Sequence, residues 1–165
     1  KQLSVGAYVC TNVFGSTWAV LVPGSPGTVG EVRDAECRLT IRTDAFAARR
    51  LELSGSFAQL NATNKYEKSL TLQYRAIRPD GTASDWTTMS EYKSTFTATD
   101  VAPDLAGTWR DVSCAVDFRL PRGSTIEARV YCRKAYESGR EAPLGFRDFR
   151  VRVLGVGQSL LFVVR

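Results

Sequence analysis

Residues 113–133 constrain the fold more than any other stretch, because two alternating segments flank one short turn. When they are folded as a hairpin about residues 122–124, alternate side chains form one continuous apolar face. Cys114 then lies opposite Cys132 on that face. A slip of one residue would bury the charged side chains, so the pattern predicts a single register. The other face would carry two pairs of opposite charge, Arg119 with Glu127 and Asp117 with Arg129.

The cysteines at positions 10, 37, 114 and 132 form no C-x-x-C pair of the kind that binds zinc or acts in redox chemistry. Opposed residues of an antiparallel pair bring Cα atoms within the roughly 4.4–6.8 Å that a disulfide requires. The pattern therefore predicts a Cys114–Cys132 disulfide and leaves Cys10–Cys37 as the second pair. The alternative is four buried thiols in a reducing compartment. Disulfides indicate an oxidising compartment, so we expect an extracellular or cell-surface protein, secreted and with its leader removed.

The rest of the sequence predicts short strands separated by turns. Leu51, Leu53 and Phe57 alternate with polar residues, and residues 78–81 have the Pro and Gly positions of a β-turn. We count about ten such strands and no convincing helix of more than about two turns. The fold predicted is all-β: an antiparallel two-sheet sandwich of the immunoglobulin-like or jelly-roll type, forming one domain over residues 1–165.

The charge balance is basic, with 22 Lys and Arg against 17 Asp and Glu and a formal net charge of +5. Such a balance suits nucleic acid, anionic lipid or acidic polysaccharide as a partner. The arginines, however, alternate with apolar residues and stand near acids, which favours a solvated, salt-bridged sheet face. We expect no nucleic-acid partner. We also expect no membrane span, since no stretch approaches the roughly 18 apolar residues that one needs.

The chain contains no histidine, which excludes Ser-His-Asp and Cys-His nucleophile systems and histidine metal sites. It also contains no phosphate loop and no dinucleotide-binding fingerprint. We therefore expect no enzymatic activity, no cofactor and no metal site. A glycosidase that uses only carboxylates is the least favoured alternative. Its acids would come from five glutamates, Glu31, Glu52, Glu67, Glu91 and Glu127.

Three aromatic residues near predicted turns and loops are candidate ligand-binding residues: Trp86, Trp109 and Tyr136. Flat aromatic rings exposed at loops can stack on sugars or anchor a protein partner. The alternative is that each tryptophan closes one end of the sandwich.

The last predicted strand is apolar on both faces, and its side chains are candidate partner-binding residues. In an isolated sandwich one face of each strand meets water, so a loop or a second subunit should cover this one. The residues concerned are Leu160, Leu161, Phe162, Val163 and Val164.

These features favour an extracellular structural or interaction protein. The first hypothesis is a subunit of a surface layer, fibre or appendage that associates with itself or with other surface proteins through strand edges and apolar faces. The alternative is a carbohydrate-binding or adhesive module that holds a glycan with Trp86, Trp109 and Tyr136. Light scattering separates the two, because only the assembly subunit must self-associate.

Overall fold

The structure is a computed structural model in which residues 6–13, 16–22, 32–59, 68–94, 109–135 and 144–164 are described. Within these ranges the chain forms ten β-strands and no helix. The strands are β1 (Gly6–Val13), β2 (Ser16–Val22), β3 (Val32–Arg42), β4 (Ala48–Gln59), β5 (Lys68–Ile77), β6 (Thr87–Ser94), β7 (Arg110–Leu120), β8 (Thr125–Ala135), β9 (Leu144–Gly155) and β10 (Gln158–Val164).

The strands are arranged in two antiparallel sheets. The six-stranded sheet has the order β1-β2-β9-β4-β7, and β10 pairs with the second half of β9. The four-stranded sheet has the order β3-β8-β5-β6. This arrangement confirms the predicted all-β fold with two antiparallel sheets.

The core lies between the two sheets and consists of the alternate side chains that each strand turns inward. Leu53, Phe149 and Val151 of the six-stranded sheet are fully buried, as are Leu72 and Val130 of the four-stranded sheet. Each such side chain contributes about 1.5–3 kcal/mol through removal of apolar surface from water. Where side chains are described, the intervening residues of these strands face outward, and most of them are polar.

The predicted hairpin of residues 113–133 is wrong, because β7 and β8 belong to different sheets. Val116 on β7 pairs with Leu51 on β4, whereas Val130 on β8 lies between Cys37 and Leu72. The predicted apolar face of each segment is confirmed, since these residues do face the core. Alternation defines which face of a strand is buried, but it does not identify the neighbouring strand.

The turn between β7 and β8 carries the chain from one sheet to the other. The amide of Gly123, which has a φ of 83°, donates to the carbonyl oxygen of Thr43 over 3.0 Å. The Thr43 amide in turn donates to the carbonyl oxygen of Ser124 over 2.9 Å. Thr43 directly follows β3, so these bonds tie the turn to the four-stranded sheet and not to β7.

The predicted disulfides are not formed. Cys114 carries a thiol, and its sulfur lies 3.6 Å from the carbonyl oxygen of Leu53. Cys132 belongs to the opposite sheet and also carries a thiol. Cys37 also carries a thiol, which excludes its pairing with Cys10; the Cys10 side chain lies outside the described part. The cysteines therefore give no support to an oxidising compartment.

A β-bulge in β9 shapes the outer face of the six-stranded sheet. The register between β4 and β9 shifts opposite Gly55, where Asp148 has a φ of 53°. A Cβ atom at Gly55 would come within 3.3 Å of the Arg147 carbonyl oxygen, so this close approach favours glycine. The extra residue lets Arg147 and Arg150 both face outward while Phe149 between them is buried.

We expect the thiols of Cys37 and Cys114 to react slowly with an alkylating reagent in the folded protein. Burial raises the pKa of the Cys37 thiol, with the charge of Glu36 adding to it, and burial likewise raises the pKa of the Cys114 thiol. Near the ordinary thiol pKa of about 8.5, iodoacetamide should therefore modify both slowly, and the rate should rise with pH. Mass spectrometry of labelled peptides measures this. Full labelling after unfolding without reductant is expected, and protection of Cys114 under those conditions would contradict the thiol assignment.

Gly155 at the end of β9 predicts a stability defect on substitution. A Cβ atom there would overlap the Phe46 ring and lie 2.9 Å from the carbonyl oxygen of Ala47. Gly155→Ala should lower the free energy of unfolding by about 1–3 kcal/mol, measured by chemical denaturation. Ser159→Ala, at an exposed position just beyond the hairpin turn, is the control and should unfold like the unmodified chain. Equal midpoints for all three proteins would show that the Phe46 contact is not formed.

Candidate functional site

The outer face of the four-stranded sheet carries an arginine cluster beneath Trp86. Arg38 on β3 pairs with Arg129 on β8, and Arg75 lies on the neighbouring strand β5. Their guanidinium carbons lie 5.3 Å, 3.8 Å and 4.9 Å from the centre of the Trp86 ring. Cations over an aromatic face are attracted by the ring quadrupole, so the three arginines hold the indole on the sheet.

Two glutamates neutralise these arginines. Glu127 accepts a hydrogen bond from Arg75 over 2.5 Å and lies 3.6 Å from Arg38. Glu36 is ion-paired with both Arg38 and Arg129. We refer to Trp86, the three arginines and the two glutamates as the Trp86 cluster. The cluster confirms the prediction that arginines here form a salt-bridged sheet face.

The two charge pairs predicted for the hairpin are wrong. Glu127 pairs with arginines of β3 and β5, and Asp117 pairs with Arg50 on β4 over 3.0 Å. Arg129 is bound by Glu36. The physical reason is the separation of β7 and β8 into two sheets, which places Asp117 and Arg129 on opposite outer faces.

The outer face of the six-stranded sheet contains a groove, which we call the sheet groove. Ser54 on β4 pairs with Ser113 on β7, and Ala115 is the next outward residue of β7. These small side chains form the floor of a cavity of about 550 Å³. Its walls are formed by longer residues of β4, β9 and β10: Arg50, Glu52, Arg150, Arg152 and Leu161.

The register explains the shape of the groove. Ser54 faces Arg150 on its β9 side, and Glu52 faces Arg152. Leu161 on β10 lies beside Arg152. Because paired residues of neighbouring strands point to the same side, small residues on β7 and β4 stand next to long residues on β9. The difference in side-chain length leaves the space.

Ion pairs fix part of the wall. Glu52 lies 3.0 Å from Arg50 and 3.6 Å from Arg152, and Arg50 also binds Asp117. The hydrogen bonds that Arg50 donates to Glu52 and then to Asp117 raise the pKa of Arg50 above its ordinary value, so it is charged at every relevant pH. Arg150 differs, since it has no ion-pair partner among the described residues.

The bulge extends the groove at one end. A second depression is continuous with the first through Ser54, Ser113 and Arg150. It is bounded by the bulge residue Asp148 and by Asp111, which accepts a hydrogen bond from the Ser56 hydroxyl over 2.5 Å. The grooved surface is therefore a continuous trough that crosses the outer face of the sheet.

The aromatic residues predicted to bind a ligand do not share one surface. Trp86 lies over the four-stranded sheet, whereas the Trp109 ring lies 4.5 Å from the guanidinium carbon of Arg147 at the bulge end of the trough. Tyr136 lies outside the described residues. One ligand cannot contact both tryptophans, because the sandwich separates them.

The predicted partner-binding strand is partly exposed. Leu160 packs against the core, whereas Leu161 is 62% exposed and Phe162 is 36% exposed. The side chains of Val163 and Val164 lie outside the described part of the chain. A partner-binding role for this strand stays a prediction.

The sheet groove is not predicted by the sequence pattern. The sequence does contain the residues that form it: Ser54, Ser113 and Ala115 are small residues at outward positions. Arg150 and Arg152 alternate with apolar residues along one strand. These residues form a groove only because β4 lies between β7 and β9, an order that the sequence does not reveal. Within the described residues no group of three or more His, Cys, Asp or Glu side chains is placed to hold a metal ion, and no helix is long and apolar enough to cross a membrane.

No family model and no curated protein sequence matches the chain. Among solved structures, it is similar to the CBM22-1 xylan-binding domain of Paenibacillus barcinonensis Xyn10C, with 10% identity, 91% of this chain and 86% of that chain covered, and a TM-score of 0.39. It is also similar to a family 35 carbohydrate-binding module from Clostridium thermocellum, with 14% identity, 88% of this chain and 86% of that chain covered, and a TM-score of 0.35. A third similar structure is the enzymatically active domain of tailspike protein 4 from bacteriophage CBA120, with 16% identity, 92% of this chain and 18% of that chain covered, and a TM-score of 0.45. Likenesses this distant do not assign a function, which must be argued from this chain's own side chains.

The Trp86 cluster predicts a structural role for Trp86. Trp86→Ala should lower the free energy of unfolding by about 1–2 kcal/mol, because three guanidinium groups lose their aromatic partner. It should also speed hydrogen exchange at the Ser84 amide, which donates to the Ala76 carbonyl oxygen in the adjoining connection. Trp86→Phe keeps an aromatic ring and is the matched control. Unchanged stability in Trp86→Ala together with loss of glycan binding would instead assign Trp86 to a ligand site.

Proposed function

We propose that this protein is a non-catalytic carbohydrate-binding domain that holds a glycan chain in the sheet groove. The observation that carries the proposal is the groove itself, with a floor of small side chains and walls of planar charged groups. Its volume of about 550 Å³ lies within the range of roughly 300–1,000 Å³ typical of small-ligand sites. Its continuation past Arg150 to Asp148 suits an extended chain better than a single compact molecule.

The chemistry of the groove matches that of sugars. Each sugar hydroxyl both donates and accepts hydrogen bonds, so a binding surface needs both functions at close spacing. Ser54 and Ser113 offer hydroxyls on the floor, Arg150 and Arg152 offer N–H donors, and Glu52 offers acceptor oxygens.

Apolar surface stands beside these polar groups. Leu161, 62% exposed, lines the groove beside Arg152. Such a side chain can pack on the C–H face of a sugar ring, which hydrogen-bonding groups leave uncovered. Trp109 holds Arg147 in place at the bulge end through its ring contact.

The carboxylates of the groove have structural partners, which supports binding without catalysis. Glu52 is held between Arg50 and Arg152, and Asp111 accepts the hydrogen bond of Ser56. A glycosidase needs one acid and one base that are both directed at the scissile bond. We therefore expect no hydrolysis of a bound glycan.

Self-association is a second candidate function. The β9–β10 hairpin exposes three apolar side chains, Val156 at 70%, Leu161 at 62% and Phe162 at 36%. These could join copies at the edge of the six-stranded sheet, as the assembly hypothesis expects. Light scattering of the purified chain decides this, since a monomer at all concentrations contradicts an assembly role.

Filling the groove tests the carbohydrate proposal. Ser113 is exposed on β7, which lies at an edge of its sheet, so Ser113→Trp should place a bulky ring over the floor without disturbing the core. Affinity for glycans identified on an array should fall at least about tenfold, equivalent to about 1.4 kcal/mol, by isothermal titration calorimetry.

The control is Thr40→Trp. Thr40 is exposed on β3, which is likewise an edge strand but belongs to the four-stranded sheet. It should bind glycan like the unmodified chain. Equal loss in both variants would mean that the sheet groove is not the site, and absence of glycan binding by the unmodified chain would refute the proposed function.

A further inference from the structure

We infer that the glycan held in the sheet groove is acidic, and that its carboxylate or sulfate groups bind Arg150 and Arg152. This inference rests on the proposed function and specifies its ligand class. The first observation is charge: the sheet groove is lined by three arginines, Arg50, Arg150 and Arg152, and by one carboxylate, that of Glu52. Asp117 contacts Arg50 from outside the groove.

Two carboxylates, Glu52 and Asp117, contact these arginines, and neither contacts Arg150. Glu52 makes its shorter contact, 3.0 Å, with Arg50 and stands 3.6 Å from Arg152. Arg150 has no carboxylate partner among the described residues and its side chain is exposed. The guanidinium group of Arg150 is therefore available to an anion, and Arg152, whose one carboxylate contact among the described residues is the 3.6 Å contact with Glu52, lies two residues along the same strand.

The other outer face shows that this chain can neutralise clustered arginines. In the Trp86 cluster, Arg38, Arg75 and Arg129 share Glu36 and Glu127, and each has a carboxylate partner. The sheet groove has as many arginines, and Glu52 and Asp117 contact Arg50 and Arg152, but Arg150 has no carboxylate partner among the described residues. The two faces therefore differ in one arginine, Arg150, which no described carboxylate contacts.

The spacing of the two arginines suits a repeated anion. Arg150 and Arg152 are separated by one residue on β9 and face the same side, so their Cα atoms are about 6.6–6.8 Å apart. A guanidinium group binds a carboxylate or sulfate through two parallel N–H donors. An acidic polysaccharide presents such groups along its length, above the hydroxyl floor of Ser54 and Ser113.

A nucleic acid is the other polyanion that could enter a basic groove. Single strands are held by stacking of bases on aromatic side chains, and the described residues that line the two parts of the trough include no aromatic one. A floor of small, hydroxyl-bearing side chains matches sugar hydroxyls instead. The groove therefore favours a glycan as the polyanion.

The test compares three polymers by calorimetry: polygalacturonate with carboxylates, dextran sulfate with sulfates, and neutral dextran. One of the acidic polymers should bind, and the stronger of the two identifies the anion. Arg150→Gln should weaken its binding about ten- to a hundredfold, since a charge-assisted hydrogen bond is lost. Arg150→Lys keeps the charge without the planar fork and should restore part of the affinity.

Arg133→Gln is the matched control. Arg133 is exposed on β8, on the other outer face, and its loss changes the net charge equally. Equal weakening by Arg133→Gln and Arg150→Gln would show binding by net charge alone and overturn the inference. Competition by oligo-dT that also depends on Arg150 would assign the groove to nucleic acid and overturn it as well.

The two levels of the hypothesis fail differently. If neutral glycans found on the array bind as tightly as the acidic polymers, are blocked by Ser113→Trp and tolerate Arg150→Gln, the acidic-ligand inference is wrong while the carbohydrate function stands. If no glycan of any charge binds, the proposed function fails together with the inference.

Discussion

The burial of alternate side chains between two sheets is the constraint on which the rest of this structure depends. Once Leu53 and Val151 on one sheet and Leu72 and Val130 on the other are packed inward, every intervening residue must face out. The outer faces are therefore a direct consequence of the core. Their chemistry is decided by which strands the core brings side by side.

The two outer faces differ in how their arginines are paired with carboxylates. On the four-stranded sheet, arginines and glutamates from three strands neutralise one another beneath Trp86, which makes a connected network. On the six-stranded sheet, small residues of β4 and β7 stand beside arginines of β9, where Glu52 contacts Arg152 but not Arg150. In the Trp86 cluster each arginine is already paired with a carboxylate. In the sheet groove, N–H donors and open space remain for a ligand.

The bulge at Asp148 connects the core to the groove. Phe149 is fully buried, and without an extra residue its outward neighbours could not include both Arg147 and Arg150. Gly55 on the facing strand allows the close backbone approach. A single irregularity in one strand thus sets the length of the polar trough, in keeping with the tendency of bulges to redirect side chains near binding sites.

The sequence by itself determined the fold class and the buried face of most strands, because a period of two residues is a local property. It also indicated that arginines would lie on a salt-bridged face. The partner strand of each segment was decided only by the tertiary structure: Cys114 and Cys132 both face inward, yet they stand on opposite sheets. Pairing depends on contacts between residues distant in the chain, and alternation carries no information about them. The same reason hid the sheet groove, which exists only because β4 lies between β7 and β9.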